Sequence, residues 1–173
     1  MRDKAREKQG RKAHSTFLIV DAQSVKNTNT ASQKSHDADK KVSGIKRHIA
    51  VDTQGLPHAI AVAIANITDR QGALAALERC KSQLKRIKSL LCDGGYSGAT
   101  FASGVRELLG DDRADSQTQR TARPQGHPKR WIVERSFAWL EKCRRLRRNC
   151  ERKLNASLQF VWLAFWAFLL ERS

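Results

Sequence analysis

The chain has 173 residues and a formal net charge of +16 at pH 7, from 33 Lys and Arg against 17 Asp and Glu. This length suffices for one domain with its own hydrophobic core. The basic excess makes a merely solvated surface the weaker alternative and indicates a polyanionic partner, with nucleic acid ahead of a membrane surface. We expect no secretory signal in the charged first residues. The most apolar tract, residues 158–170, has 13 residues and is too short to span a bilayer.

The N-terminal third of the chain predicts an arm, a strand and a loop. Residues 1–16 are charged without an apolar stripe, so they predict a basic arm, either a frayed helix or a disordered tail. The branched apolar run at 17–20 predicts a buried strand, which Asp21 closes. Residues 27–41 are polar and predict a loop. We expect three side chains of this loop to be solvated: His36, Asp37 and Asp39.

The middle of the chain predicts an alternation of strands and helices. In order, these are two strands, a helix, a strand and a helix, over residues 44–52, 58–65, 69–82, 87–92 and 100–109. A Gly-containing turn joins the first two strands and favours an antiparallel hairpin. Asp93 follows the last strand, although an Asp before two glycines is equally typical of a turn. Three side chains of the first strand either face nucleic acid or form an ordinary polar strand edge: Lys46, Arg47 and His48.

Residues 130–152 show helical periodicity, with an apolar and a polar face. The apolar face contains Ile132, Ser136, Trp139, Leu140, Cys143, Leu146 and Cys150. Its two cysteines are therefore predicted to be small, buried and reduced, as in the cytosol. Glu134 lies on the polar face one turn after Arg130, and for this helix alone it is a solvated glutamate with an i,i+4 partner. A nearly all-apolar helix from Ser157 is predicted to pack against the sheet or a second subunit.

Three acidic residues suggest a shared site. Asp21 and Asp93 each close an apolar run, and Glu134 lies on a later helix. Two aspartates and a glutamate brought together by the fold could hold a pair of divalent cations.

Three sequence blocks carry a resemblance to a known family. They are VDAQSVK at 20–26, CDGGYSG at 92–98 and RWIVERSFAWLEKCRRL at 130–146. They resemble three blocks of DDE transposases from bacterial insertion sequences, in the branch called IS-four/IS-five, and the resemblance runs over about residues 17–170. It implies a ribonuclease H-like α/β domain over 17–173, with a mixed sheet flanked by helices. In that fold the first and fourth strands are neighbours, which would place Asp21 beside Asp93.

The resemblance also implies an activity, namely metal-dependent DNA strand cleavage and strand transfer during transposition. Asp21, Asp93 and Glu134 would be catalytic and would bind two Mg²⁺ or Mn²⁺ ions, with Asp21 bridging both. The implied partner is double-stranded DNA, both transposon ends and target, bound by a homodimer in the bacterial cytoplasm at the nucleoid and without a membrane. The candidate DNA-binding residues are Lys46, Arg47, His48, Arg130, Arg144, Arg145, Arg147 and Arg148.

The chain departs from the family pattern before and within the last block. Residues 111–127 are polar where the family has an apolar fifth strand, so this strand is predicted to be missing or disrupted. We interpret this irregular segment as the product of two compensating frameshifts, a hypothesis that the nucleotide sequence tests. His127 stands at the family's tyrosine, and Glu141 at its lysine, with Lys142 one place later. These departures predict a truncated copy of low or no activity.

Two alternatives remain at this stage. The first is a non-catalytic DNA-binding remnant that occupies the ends of the mobile element without cutting them. The second is a cellular ribonuclease H-like nuclease, which fits the three acidic residues but explains VERSFAWLEK at 133–142 poorly.

Overall fold

The computed structural model describes residues 2–110, 115–118 and 129–171. In the described residues the strands are β1 (Phe17–Lys26), β2 (Ser35–Asp37), β3 (Val42–Val51), β4 (Pro57–Ile64), β5 (Ser89–Cys92) and β6 (Asp115–Thr118). The α-helices are α1 (Arg2–Lys8), α2 (Asp69–Arg79), α3 (Ala99–Leu109), α4 (Arg130–Lys142) and α5 (Leu154–Glu171).

One mixed sheet contains all these strands, in the order β2-β3-β1-β5-β6, with β4 also pairing with β3. β1 pairs antiparallel with β3, and β3 pairs antiparallel with β4. β1 pairs parallel with β5, and β5 parallel with β6. The antiparallel hairpin and the neighbouring first and fourth predicted strands are therefore confirmed.

Alternating side chains of the strands divide the core into two layers. On one face, Leu18 and Val20 pack with residues of α2 and α3, such as Leu77 and Phe101. On the other face, the apolar side chains of the sheet pack with α4 and α5. The sheet residues of this second layer are Ile19, Ile49, Val51, Ile60 and Leu91. By the same alternation Asp21 shares the face of Ile19, so it lies on the α4 side.

The fifth strand is present but short. β6 has four polar residues and pairs with all of β5, from Ser89 opposite Asp115 to Cys92 opposite Thr118. The sequence predicted a missing or disrupted strand, and the structure excludes the first of these two forms. A parallel ladder is formed by backbone groups and does not require apolar side chains. Most of the tract 111–127, His127 included, lies outside the described residues, so the frameshift hypothesis stays a prediction.

The N-terminal segment is not the frayed or disordered arm that its charge predicted. Ala5 of α1 packs against Leu56 and Leu169. Arg6 is buried and forms an ion pair with Asp52, which is 0% exposed. A buried charge needs a partner, and the helix brings one to the end of β3.

The predicted length of the helix at 130–152 and the predicted burial of its two cysteines need correction. α4 ends at Lys142, ten residues earlier than predicted, and a 3₁₀ turn Arg144–Leu146 follows. The apolar stripe therefore does not continue, and Cys150 is exposed while Cys143 is only partly buried. The backbone N–H of Asn149 donates to Lys26 O (2.9 Å), so this segment leaves the helix to extend the end of β1.

α5 is longer than the 13-residue apolar tract suggested. Within the described residues it is the helix long and apolar enough, by length and composition, to cross a membrane, with 18 residues and a mean hydropathy of 1.3. One such helix is weak evidence for a membrane. Its buried face, which includes Val161 and Phe165, packs in the second core layer. Three large apolar side chains of the helix are exposed instead: Leu163, Trp166 and Leu170.

Candidate active site

Asp21 and Asp93 lie at the same edge of two neighbouring parallel strands. The register pairs Leu18 with Leu90 and Ile19 with Leu91, and continuing it by two residues places Asp21 opposite Asp93. Burial raises the pKa of Asp21 to about 6, and the Asp93 carboxylate also raises it. The Ala22 N–H, which donates to Asp21 Oδ1 (2.8 Å), and the charges of Arg130 and Lys40 oppose this shift.

Asp93 owes its position to the turn that ends β5. Its carboxylate caps the 3₁₀ turn Gly94–Tyr96, where the Gly95 N–H donates to Asp93 Oδ1 (2.9 Å). Its backbone is still extended (φ −79°, ψ 177°), so the alternation of the strand continues and the side chain lies on the α4 side of the sheet.

Arg130 connects this edge to α4. Its Nη2 is 3.3 Å from Asp93 Oδ2, and its Nε is 3.4 Å from Glu134 Oε1 one turn further along the helix. The Glu134 side chain is 59% exposed. Arg130 thus contacts two of the three predicted carboxylates, those of Asp93 and Glu134. Its charge also lowers the pKa of the third, Asp21.

The residues present can be compared with the needs of a divalent cation. Within the described residues, no group of three or more His, Cys, Asp and Glu side chains is close enough to hold a metal ion. The guanidinium of Arg130 lies between Asp93 and Glu134, so a cation already sits among these carboxylates. Carboxylate oxygens are the ligands that Mg²⁺ and Mn²⁺ prefer. The three carboxylates are therefore of the right chemical type for such an ion, which would have to displace Arg130 and draw them closer together.

Three predicted DNA-binding residues do not face solvent. Lys46 is 5% exposed, Arg47 1% and His48 0%. Neither contact with nucleic acid nor an exposed polar strand edge describes them, because β3 is paired on both sides and helices cover both faces of the sheet.

Lys46 instead belongs to a buried charge cluster, which sequence reasoning missed. Its Nζ is 3.1 Å from Asp37 Oδ2 and 3.0 Å from Asp69 Oδ1. Asp37 was expected to be solvated but is 3% exposed, and it accepts a hydrogen bond from Ser24 Oγ (2.6 Å). Burial raises its pKa, but Ser24, the Lys40 N–H and the Lys46 ammonium outweigh burial and lower the pKa to about 2.

Lys40 connects this buried charge cluster to the end of the sheet that carries Asp21 and Asp93. Its Nζ donates to Ala22 O (3.0 Å), next to Asp21, and lies 3.8 Å from Asp69 Oδ2. Nothing in the polar run 27–41 singled out Lys40 or Asp37, because their partners are far away in the sequence and are brought near only by the pairing of β2 with β3.

Arg47 is a second buried cation that the sequence did not reveal as such. None of its side-chain nitrogens has a hydrogen-bond partner among the described residues. Burial lowers its pKa to about 10, which the Glu141 carboxylate opposes. Glu141 accepts a hydrogen bond from Gln23 Nε2 (2.7 Å), and Gln23 is paired with Arg47 across β1 and β3. The residue at the family's lysine position is thus tied to the strand that carries Asp21.

The basic segment after α4 is exposed, as its predicted role requires. Arg144, Arg147 and Arg148 lie at the surface. Arg145 is also exposed; its Nε is 2.8 Å from Glu151 Oε1, and its guanidinium lies over the ring of Phe160 at 4.2 Å. Three cationic side chains of this segment are therefore exposed to solvent.

The fold has a likeness among solved structures. A chain in the cryo-electron microscopy structure of a simian T-cell lymphotropic virus intasome in complex with PP2A regulatory subunit B56 gamma superposes with a TM-score of 0.57 at 17% identity, over 87% of this chain and 47% of that one. The fold is accordingly the ribonuclease H-like mixed sheet flanked by helices that the sequence predicted.

Sequence comparison defines the family. The transposase DDE domain family matches residues 12–170. A protein of Burkholderia cepacia named "Putative transposase for insertion sequence element IS402" is 30% identical over 133 residues, which cover 72% of this chain and 62% of that protein. The chain belongs to the DDE transposases of insertion sequences. It spans less than two thirds of the length of this curated relative.

Proposed function

We propose that this chain is the catalytic domain of an insertion-sequence transposase that cuts DNA strands and joins them to a target. The observation that carries the proposal is the position of Asp21 opposite Asp93 on two neighbouring parallel strands, with Arg130 joining Asp93 to Glu134. Family membership supports the same chemistry. Double-stranded DNA at the bacterial nucleoid is the proposed partner, and we propose a homodimer for the complex with both ends of the element.

Asp21, Asp93 and Glu134 would hold the two Mg²⁺ or Mn²⁺ ions that the family resemblance implies. When bound, such ions activate a water or a DNA 3′-hydroxyl and stabilise the leaving oxygen at phosphorus. Asp21 has a fixed orientation for this role, because its Oδ1 accepts the Ala22 N–H. The raised pKa of Asp21 reflects like charge and burial, the conditions that a cation relieves.

The protein's own cations would position the DNA. Arg130 is 44% exposed and presents a planar guanidinium that pairs with phosphate oxygens in a bidentate manner. Arg144, Arg147 and Arg148 would add contacts to phosphates that do not depend on the base sequence and weaken with salt.

A nicking assay tests this proposal. We expect the protein to nick supercoiled plasmid in Mg²⁺ or Mn²⁺ and not in EDTA. Asp93→Asn should lower the nicking rate by at least about 100-fold, which is more than the loss expected for a residue that only supports a metal ligand. Asp39→Asn is the matched control, because Asp39 is exposed and outside the carboxylate group. Mn²⁺ affinity by calorimetry should fall in Asp93→Asn alone. Equal nicking by wild type and Asp93→Asn would exclude the site.

Two observations favour a second candidate, a DNA-binding protein without cleavage activity. Arg130 pairs with both Asp93 and Glu134, and Glu141 places a carboxylate where the family has a lysine. This candidate would be established if the wild-type protein bound duplex DNA but did not nick it in either Mg²⁺ or Mn²⁺.

A further inference from the structure

A basic cavity lies away from the carboxylates, at the opposite end of β5. It has a volume of about 220 Å³ and opens between α1, the residues before β1 and the turn before β5. Ile87 lies in its wall, six residues before Asp93. At about 3.3 Å per residue the two sites are about 20 Å apart. One phosphate group therefore cannot occupy both.

Positive charge dominates the wall of this cavity. Arg2, Lys85 and Arg86 contribute three permanent cations, whereas the wall contains one carboxylate, that of Asp3. Asp3 Oδ1 lies 3.7 Å from Arg2 Nε, and Asp3 Oδ2 lies 3.7 Å from His14 Nδ1, so its single charge is shared between two partners. Even without Lys85, Arg2 and Arg86 outnumber the single carboxylate of Asp3, and this net positive charge favours an anion.

Two buried nitrogen atoms in the wall have no hydrogen-bond partner among the described residues. His58 is 3% exposed, and its Nε2 lies 3.4 Å from Asp52 Oδ2, which Arg6 also holds. Among the described residues, His58 Nδ1 and Arg2 Nε have no hydrogen-bond partner. Arg2 Nε still has the Asp3 carboxylate at 3.7 Å as an ion-pair partner. Buried polar atoms in native proteins nearly always have a hydrogen-bond partner, so His58 Nδ1 is the atom that points to a ligand carrying oxygen atoms.

We propose that this cavity binds one phosphate group of a DNA backbone, at a site separate from the carboxylates. Its volume is below the roughly 300 Å³ at which pockets for whole small molecules begin, so it fits a phosphate rather than a nucleotide. Arg2 and Arg86 supply the guanidinium groups that pair best with phosphate oxygens. A phosphate beside Nδ1 adds a negative charge opposite Asp52 and favours the doubly protonated imidazole of His58, which then donates on both sides. The DNA source of the phosphate rests on the function proposed above.

Inorganic phosphate is the first probe, and it needs neither metal nor DNA. Titration of the whole chain with phosphate, in chloride buffer at constant ionic strength, should show saturable binding at one site by calorimetry. Arg86→Gln should weaken this binding about tenfold, as expected for loss of a charged hydrogen-bond donor. Arg106→Gln is the matched control, because Arg106 is also exposed but lines no part of this cavity. Both are surface substitutions, and circular dichroism verifies that they fold. Absence of saturable binding to wild type, or an equal affinity in Arg86→Gln, would overturn the site.

Duplex DNA is the second probe, and it separates the two sources of phosphate. Binding is measured by fluorescence anisotropy in EDTA at several salt concentrations. Arg86→Gln should lower the slope of log affinity against log salt by about 1, the effect of one lost phosphate contact. Phosphate binding with an unchanged DNA slope would refute the DNA assignment and leave a site for free phosphate. Failure of wild type to bind duplex DNA at all would refute the function proposed above, while the phosphate titration would still decide on the cavity.

Discussion

Removal of the Asp37 charge should destabilise the fold in a manner that depends on pH. Asp37 is 3% exposed and has a pKa of about 2, against 3.8 for the free side chain. A lowered pKa in the folded state contributes stability that is complete above pH 4 and is lost as the pH falls through 2. At 1.36 kcal/mol per pKa unit, the charged form contributes about 2 kcal/mol at pH 7 and about 1 kcal/mol at pH 3.

Asp37→Asn keeps the shape of the side chain and removes its charge. We expect the free energy of unfolding in urea to fall by about 2 kcal/mol at pH 7. This is below the roughly 3–5 kcal/mol typical of breaking a buried ion pair, because Lys46 retains Asp69 as a partner. At pH 3 the difference should shrink to about 1 kcal/mol. The exposed neighbour Asp39, replaced by Asn, is the control and should change stability by less than about 0.5 kcal/mol. A loss for Asp37→Asn that is the same at both pH values would show that the charge is not the cause.

Two further substitutions test the packing around β3. A Cβ atom on Gly72 would lie 2.1 Å from Nε2 of the buried His48 ring, so Gly72→Ala should destabilise by about 1–3 kcal/mol in urea unfolding. Gly94→Ala, where a Cβ would meet nothing within 4 Å, should stay within about 1 kcal/mol of wild type. Arg47→Met replaces a buried guanidinium, which has no hydrogen bond to any described residue, by an apolar side chain of similar length. It should raise the melting temperature, corresponding to a gain in stability of about 1–2 kcal/mol. A fall in the melting temperature of Arg47→Met would indicate that Arg47 has a stabilising role that its surroundings do not explain.

The positions of Asp21 and Asp93 after buried strand segments were the part of the site that the sequence predicted best. Asp21 and Asp93 each follow an apolar run, and such a run marks where a buried strand ends. Their adjacency was not contained in either run. It came from the resemblance to the transposase family, and the parallel pairing of β1 with β5 confirms that these two strands are neighbours.

The errors arose where distant segments decide the environment. Lys46, Arg47 and His48 are three polar residues in succession, which by composition indicates an exposed edge. Their burial follows from strands on both sides of β3 and from carboxylates supplied by two other elements. No local pattern contains that information.

The end of α4 was mispredicted for a related reason. Apolar residues continue at helical spacing beyond Lys142, but the Cys143 backbone is extended (φ −76°, ψ 105°). The following segment bonds to the end of β1 instead, where the Asn149 side chain donates to Asn27 Oδ1 (2.9 Å). A tertiary pairing thus overrides the helical period.

The ion pair between Arg6 and Asp52 limits where the N-terminus of the protein can be truncated for experiments. A shortened version that starts at the first strand, Phe17, would look reasonable from the sequence. It would remove the arginine that holds Asp52, a carboxylate with 0% exposure, together with Ala5 and its apolar contacts. The folding unit therefore extends back to α1, and a loss of activity in such a truncation would report on stability before it reported on DNA.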